Sequence, residues 1–144
     1  MKFISSNYDE ETGISEVIMQ HMGKKFKGIA RCHPEEEYPS QYAGCALAER
    51  RAVIKALKYE RNKLKAETDS IIKFLKHCEC FKDFNKEEKS SKIMYKTLNR
   101  KIDKVNRLTD LIDTVSKTLT LDHIKRMAVL NKMKMNRAKM KKSN

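Results

Sequence analysis

The chain has 144 residues, of which 40% are hydrophobic and 35% charged, with no tryptophan, four glycines and two prolines. That length fits one domain, or one domain with an extended appendage, and so charged a composition argues against a thick globular core and for long helices with narrow apolar seams. Thirty-two basic against nineteen acidic side chains give a net charge of +13, which predicts attraction to nucleic acid, nucleotides or other anions.

The charge is unevenly spread. Residues 1–43 hold five basic and seven acidic side chains, whereas residues 123–144 hold eight basic ones and no acid. Such asymmetry points to a docking unit joined to a basic arm. No apolar run approaches the ~18 residues a membrane span needs, and Met1-Lys2-Phe3-Ile4 runs straight into polar Ser5-Ser6-Asn7, unlike a secretory leader. A cytoplasmic protein with no membrane partner is expected, its four cysteines (Cys32, Cys45, Cys78, Cys80) as free thiols.

The first third reads as an antiparallel β-meander. Lys2–Ser6 forms a short strand, Asn7–Gly13 a polar turn, Ile14–Met22 a second strand, and Gly23-Lys24-Lys25 the next turn. In Phe26–His33 residues alternate, with Phe26, Gly28, Ala30 and Cys32 on one face and Lys27, Ile29, Arg31 and His33 on the other. The small residues on the apolar face would let a helix approach closely, and Pro34 would stop the strand. Pro34–Gly44 reads as a connector with an acidic Glu35-Glu36-Glu37 triplet, completing a unit of residues 1–43.

Residues 44–144 then turn helical. Ile54, Leu57, Arg61, Leu64, Thr68, Ile71, Leu75 and Cys78 follow a 3,4 spacing, a heptad seam with two polar interruptions, in a helix predicted from Cys45 to about Cys80. Asn85, with Glu88 three residues on, resembles a capping box. Met94, Leu98, Lys101, Val105, Leu108, Ile112, Val115 and Leu119 repeat the spacing, so two seams joined by a short link imply an antiparallel, coiled-coil-like hairpin with arms of roughly 50 Å. Thr118–Asp122 weakens the second helix, and a separate basic helix follows over about Asp122–Met140, with Leu121, Ile124, Ala128, Met135 and Ala138 on one side. The fold class is thus α+β and mostly α. Ile72, Phe74, Ile102 and Leu111 lie off the seams and need cover, which predicts a homo-oligomer.

Motifs of catalysis are lacking: there is no Gly-rich phosphate loop, His-Glu-x-x-His, Gly-x-Ser-x-Gly or Cys-x-x-Cys. Nothing argues for an enzyme or a cofactor. His77, Cys78 and Cys80 cluster near the hairpin tip and Cys32-His33 are adjacent, but their spacing is unlike zinc knuckles, and ordinary thiols fit better than a metal site. The acidic triplet suits a solvated loop, a cation or the basic helices of a neighbouring protomer.

The cationic helices are the strongest signal. Arginine forks suit bidentate contact with phosphate, and lysines act as point charges. Arg50, Arg51 and Arg61 in the first helix, Arg100 and Arg107 in the second, and Arg126, Lys134 and Arg137 near the end are the candidate phosphate ligands. Both long helices also hold acids, so solvated faces explain their charge equally well, whereas residues 123–144 have no acid to offset theirs. Tyr38 and Tyr42, close to Arg50 and Arg51, either sandwich a base or pack the sheet onto the helix.

The stretch Phe26-Lys27-Gly28-Ile29-Ala30-Arg31-Cys32-His33-Pro34-Glu35-Glu36, followed by Gly44-Cys45-Ala46-Leu47-Ala48-Glu49-Arg50-Arg51-Ala52, resembles a pattern in small proteins of phages and prophages of Gram-positive bacteria. The plan of sheet and long helices also resembles the phage sponges of the Thoeris anti-defence type, oligomers that sequester cyclic nucleotide-type immune signals without cleaving them. The motif covers roughly residues 26–52, and only the architecture extends further. The resemblance implies that Arg50, Arg51 and a C-terminal arginine, Arg126 or Arg137, hold phosphates. The lysine-rich end departs from that pattern and shifts weight toward polymeric nucleic acid or a ribonucleoprotein.

The expected function is a phage-type host-defence inhibitor that acts by binding in the host cytoplasm. It either sequesters a nucleotide signal or blocks a nucleic-acid or CRISPR effector surface. A DNA- or RNA-binding regulator with no defence role is the alternative, and a coiled-coil adaptor is a third class.

Overall fold

A computed structural model describes residues 1–31, 41–79 and 88–142, with side chains through residue 129 and at 131, 132 and 134. Three antiparallel strands, β1 (Lys2–Asp9), β2 (Ile14–His21) and β3 (Lys24–Arg31), precede two long helices, α1 (Gln41–Glu79) and α2 (Lys89–Lys142). This is the expected α+β, mostly α fold. Pro34, the acidic triplet and Asn85 of the expected capping box lie outside the described residues. The chain divides into two compact units, Met1–Ala56 with Asp113–Asn144, and Leu57–Ile112.

In the first unit the sheet order is β1-β2-β3. Both turns are built from local chemistry. Asp9 ends β1 by accepting hydrogen bonds from the Glu11 amide at 3.0 Å and the Thr12 hydroxyl at 2.6 Å, and Gly13 supplies a positive φ of 62°. These hydrogen bonds, that from the Thr12 hydroxyl foremost, hold the Asp9 carboxyl below its ordinary pKa. β1 runs on to Asp9 rather than ending at Ser6, because Asn7 and Tyr8 pair with Glu16 and Ser15. The second turn falls on Met22 and Gly23, at φ 50° and 76°, not on Gly23–Lys25. Two consecutive left-handed residues make the tight hairpin turn whose twist matches that of the strands, so Lys24 pairs with His21 and belongs to β3.

Alternation sends Ser15, Val17 and Met19 of β2 inward, opposite Ala30, Gly28 and Phe26 of β3. Against this face lies a ladder of small residues at every fourth position of α1, Gly44, Ala48, Ala52 and Ala56, all buried. Small residues on both surfaces bring backbones close. A Cβ on Gly28 would stand 2.7 Å from the Ala52 nitrogen and 2.8 Å from the Ala48 carbonyl carbon, and closer still to the Ala48 oxygen. The expectation that Gly28 and Ala30 admit a helix is borne out, and that helix is α1. Its core is Val17, Met19, Ala30, Ala48 and Ala52. α1 starts at Gln41, ahead of the predicted Cys45. Gly44 reads as a breaker in the sequence yet sits inside the helix, because any Cβ there would collide with the buried Ser15 side chain.

In the second unit the two heptad seams face inward. Leu57, Thr68 and Leu75 of α1 and Leu98, Leu108 and Ile112 of α2 are buried. Cross-helix contacts run in opposite chain directions: Tyr95 donates to Glu79, Lys101 pairs with Glu67 at 2.6 Å, and Lys104 with Glu60 at 2.9 Å. The helices are therefore antiparallel here. Thr68 hides its hydroxyl by donating it to the Leu64 carbonyl at 2.8 Å.

α2 does not break at Thr118–Asp122, and no separate third helix forms. Thr118 and Thr120 donate their hydroxyls to the carbonyls of Thr114 and Ser116 at 3.0 and 3.1 Å, which accommodates them within the helix, and Asp122 pairs with Arg50. The predicted basic helix is the C-terminal part of one 54-residue helix. No helix among the described residues is long and apolar enough to cross a membrane.

Candidate anion-binding surface

Successive helical residues point about 100° apart, and that geometry separates the two arginines at the start of α1. Arg50 and Asp122 form an ion pair in which both side chains remain about two-fifths exposed. Arg51 turns to the sheet and donates to the Ile29 carbonyl at 2.5 Å. One turn on, Lys55 donates to the Lys27 carbonyl at 2.7 Å. Lys27 and Ile29 are alternate residues of β3, so both carbonyls project from the side of that strand away from β2, and two cations cap them. Sequence reasoning missed this use. The signal was available: Arg51 and Lys55, four residues apart, flank the Gly44–Ala56 ladder that lies on the sheet.

The other candidates divide the same way. Arg61 lies half-buried on the α1 seam and donates to its neighbour Asn62 at 3.2–3.3 Å. Lys101 and Lys104 serve the hairpin; the Lys101 hydrogen bond, first, and its charge hold the Glu67 carboxyl below its ordinary pKa of 4.5. Arg100 and Arg107 are exposed, seven residues apart on the side of α2 away from its seam, and among the described residues they have no ion-pair partner.

The C-terminal segment of α2 differs in kind. Residues 123–142 carry eight cations and no acid along a continuous helix. Lys125, Lys132 and Lys134 are exposed and Arg126 is half-buried, while the side chain of Arg137 lies outside those described. Leu121, Ile124 and Val129 are exposed in the same stretch, each at 56%. Tyr42, in the first turn of α1, is 86% exposed; Tyr38, its predicted companion, falls outside the described residues. Of the thiols, Cys45 and Cys78 are free. Cys32, His33 and Cys80 are not described, and among the described residues no group of three metal-ligating side chains gathers.

Chemically, the surface presents positive charge at intervals along a helix. No family model matches the chain, and neither the curated proteins nor the solved structures contain a match.

Proposed function

We propose that the protein acts by binding, without catalysis, and that its ligand is a polyanion, with phosphates spaced along a strand. The observation that carries this reading is the C-terminal segment of α2, where eight cations follow one another over 20 helical residues with no acid among them. A helix rises about 1.5 Å per residue, so these cations spread over about 30 Å, suited to an extended backbone better than to one small ligand. The resemblance to phage proteins supplies the setting: a host-defence complex, its nucleic-acid surface occupied by this chain in the host cytoplasm.

A second reading keeps the ligand small. Tyr42 offers an exposed ring in the first turn of α1, and Asp122 holds Arg50 where a phosphate of a cyclic nucleotide would compete for it. One experiment separates them. Fluorescence anisotropy with duplex and single-stranded oligonucleotides, titrated with salt, should show affinity falling steeply as counterions are released. Replacing Lys125, Lys132 and Lys134 together by glutamine should reduce the salt slope by about 0.9 for each duplex phosphate that the variant no longer neutralises. Unchanged affinity and slope in that variant would remove the polyanion reading. Tight, stoichiometric binding of a cyclic dinucleotide, abolished by Arg50→Ala with Arg51→Ala and accompanied by weak oligonucleotide binding, would select the second.

A further inference from the structure

Two kinds of cation lie on α2 within the second unit. Lys101 and Lys104, on the flank next to α1, are committed to Glu67 and Glu60. Lys89, Lys96, Arg100 and Arg107 are exposed, and among the described residues none of the four has an ion-pair partner. They follow one another at intervals of seven, four and seven residues. At about 100° per residue, all four point within about 20° of one line along the helix, and at about 1.5 Å per residue the row is about 27 Å long. Leu98 and Val105 of the seam point the other way, toward α1. One acid, Asp103, shares the row, three residues from Arg100 and four from Arg107, and it pairs with neither.

Building on the polyanion reading, we propose that this row is a second contact surface, and that it takes double-helical nucleic acid, held by its phosphates without reading of base sequence. Uncompensated positive charge on an exposed face fixes the sign of the partner. Two features select a duplex. Single strands are gripped by aromatic rings on which bases stack. The one aromatic residue of 89–107, Tyr95, is half-buried and donates its hydroxyl to Glu79 across the hairpin. A duplex, in contrast, carries a phosphate charge about every 1.7 Å of its axis, so a straight rod meets phosphates along its length in any register. Contacts of that kind position a protein and carry no sequence information. Asp103 faces the same phosphates and holds the affinity down.

Fluorescence anisotropy of the full chain with two DNA duplexes of unrelated sequence, and with one of their strands alone, tests this. The chain should bind both duplexes alike and the single strand more weakly. Replacing Lys89, Lys96, Arg100 and Arg107 by glutamine, a good helix former, should lower the salt slope by up to about 3.6, or about 0.9 for each phosphate no longer neutralised. As a control, glutamine at exposed Lys58, Lys63, Lys65 and Lys73 of α1 removes as many charges from positions that share no single line, and should leave the slope near that of the parent. Asp103→Asn should raise duplex affinity by roughly two- to fivefold, a gain that a merely loosened hairpin would not give. An unchanged slope in the four-residue row variant, while replacement of Lys125, Lys132 and Lys134 still lowers it, overturns the row and spares the polyanion reading. Failure of the parent to bind any oligonucleotide overturns both. Tighter binding of the single strand, discrimination between the two duplexes, an equal loss of slope in the α1 control or no gain from Asp103→Asn each overturns the row as a duplex contact.

Discussion

Gly28→Ala tests the close approach on which the first unit rests. Added to most glycines at compatible positions, a methyl group stabilises by roughly 0.4–1 kcal/mol, because it restricts the unfolded chain. At Gly28 the sign should reverse. The new Cβ would lie 2.7 Å from the Ala52 nitrogen and 2.8 Å from the Ala48 carbonyl carbon, where ordinary contact begins at 3.4 Å. All of these neighbours are backbone atoms, so no rotamer change relieves them, and Ala52→Gly would not rescue the variant. The helix must lift by about 0.7 Å or more, judged from the 2.7 Å approach alone. Lifting loosens Val17, Ala30, Ala48 and Ala52 together. Overpacking of this kind costs ~1–3 kcal/mol, and a rigid backbone obstacle places Gly28→Ala near the upper end. Urea denaturation monitored by circular dichroism gives the measure, and the melting temperature should fall by about 10 °C for a loss of that size. A variant as stable as the parent, or more so, would refute the close approach of α1 to β3.

Met22→Asn should stabilise by roughly 0.5–1 kcal/mol, since Asn-Gly suits the two left-handed positions of the β2–β3 turn and methionine does not; a lowered urea midpoint would contradict the turn geometry. Ser15→Ala should leave stability unchanged or raise it by up to about 1 kcal/mol, because the buried Ser15 hydroxyl has no hydrogen-bond partner among the described residues; a loss beyond about 1 kcal/mol would reveal one. Glu67→Gln tests the hairpin ion pair through pH. The Glu67 carboxyl is depressed below 4.5 by Lys101, so its contribution is present above the unfolded pKa and disappears as pH falls through the lower folded value. The stability gap between parent and Glu67→Gln, measured by urea titration, should be present at pH 7 and absent well below pH 4.5; a gap that persists in acid would count against the pairing.

The elements legible in the sequence were those with a strong period. Every position of the two 3,4 seams is buried or half-buried, down to half-buried Arg61 and Lys101 at the polar interruptions. Alternation in β3 revealed a small-residue face, and with it the approach of a helix. What stayed hidden was decided by tertiary contact. Gly44 looks like a breaker until Ser15 is known to lie beneath it, and Thr118–Asp122 looks like a helix end until Arg50 is known to meet Asp122. The Met22-Gly23 turn was displaced by one residue because methionine gives no sign that it will accept a left-handed conformation.

The candidate site shows why basic residues counted in a sequence overstate a binding surface. Arg50, Arg51, Lys55, Lys101 and Lys104 are as cationic as any in the chain, yet each already holds a carboxylate or a carbonyl of the fold. Which cations are committed depends on where acids and free carbonyls fall in space, and sequence counts cannot report that for helices containing both signs. Over residues 123–142 the ambiguity narrows, because the segment itself contains no acid, and only Asp122, just before it, lies three or four residues from any of its cations, Lys125 and Arg126. Any neutralisation of those eight charges must come from elsewhere in the molecule or from a ligand.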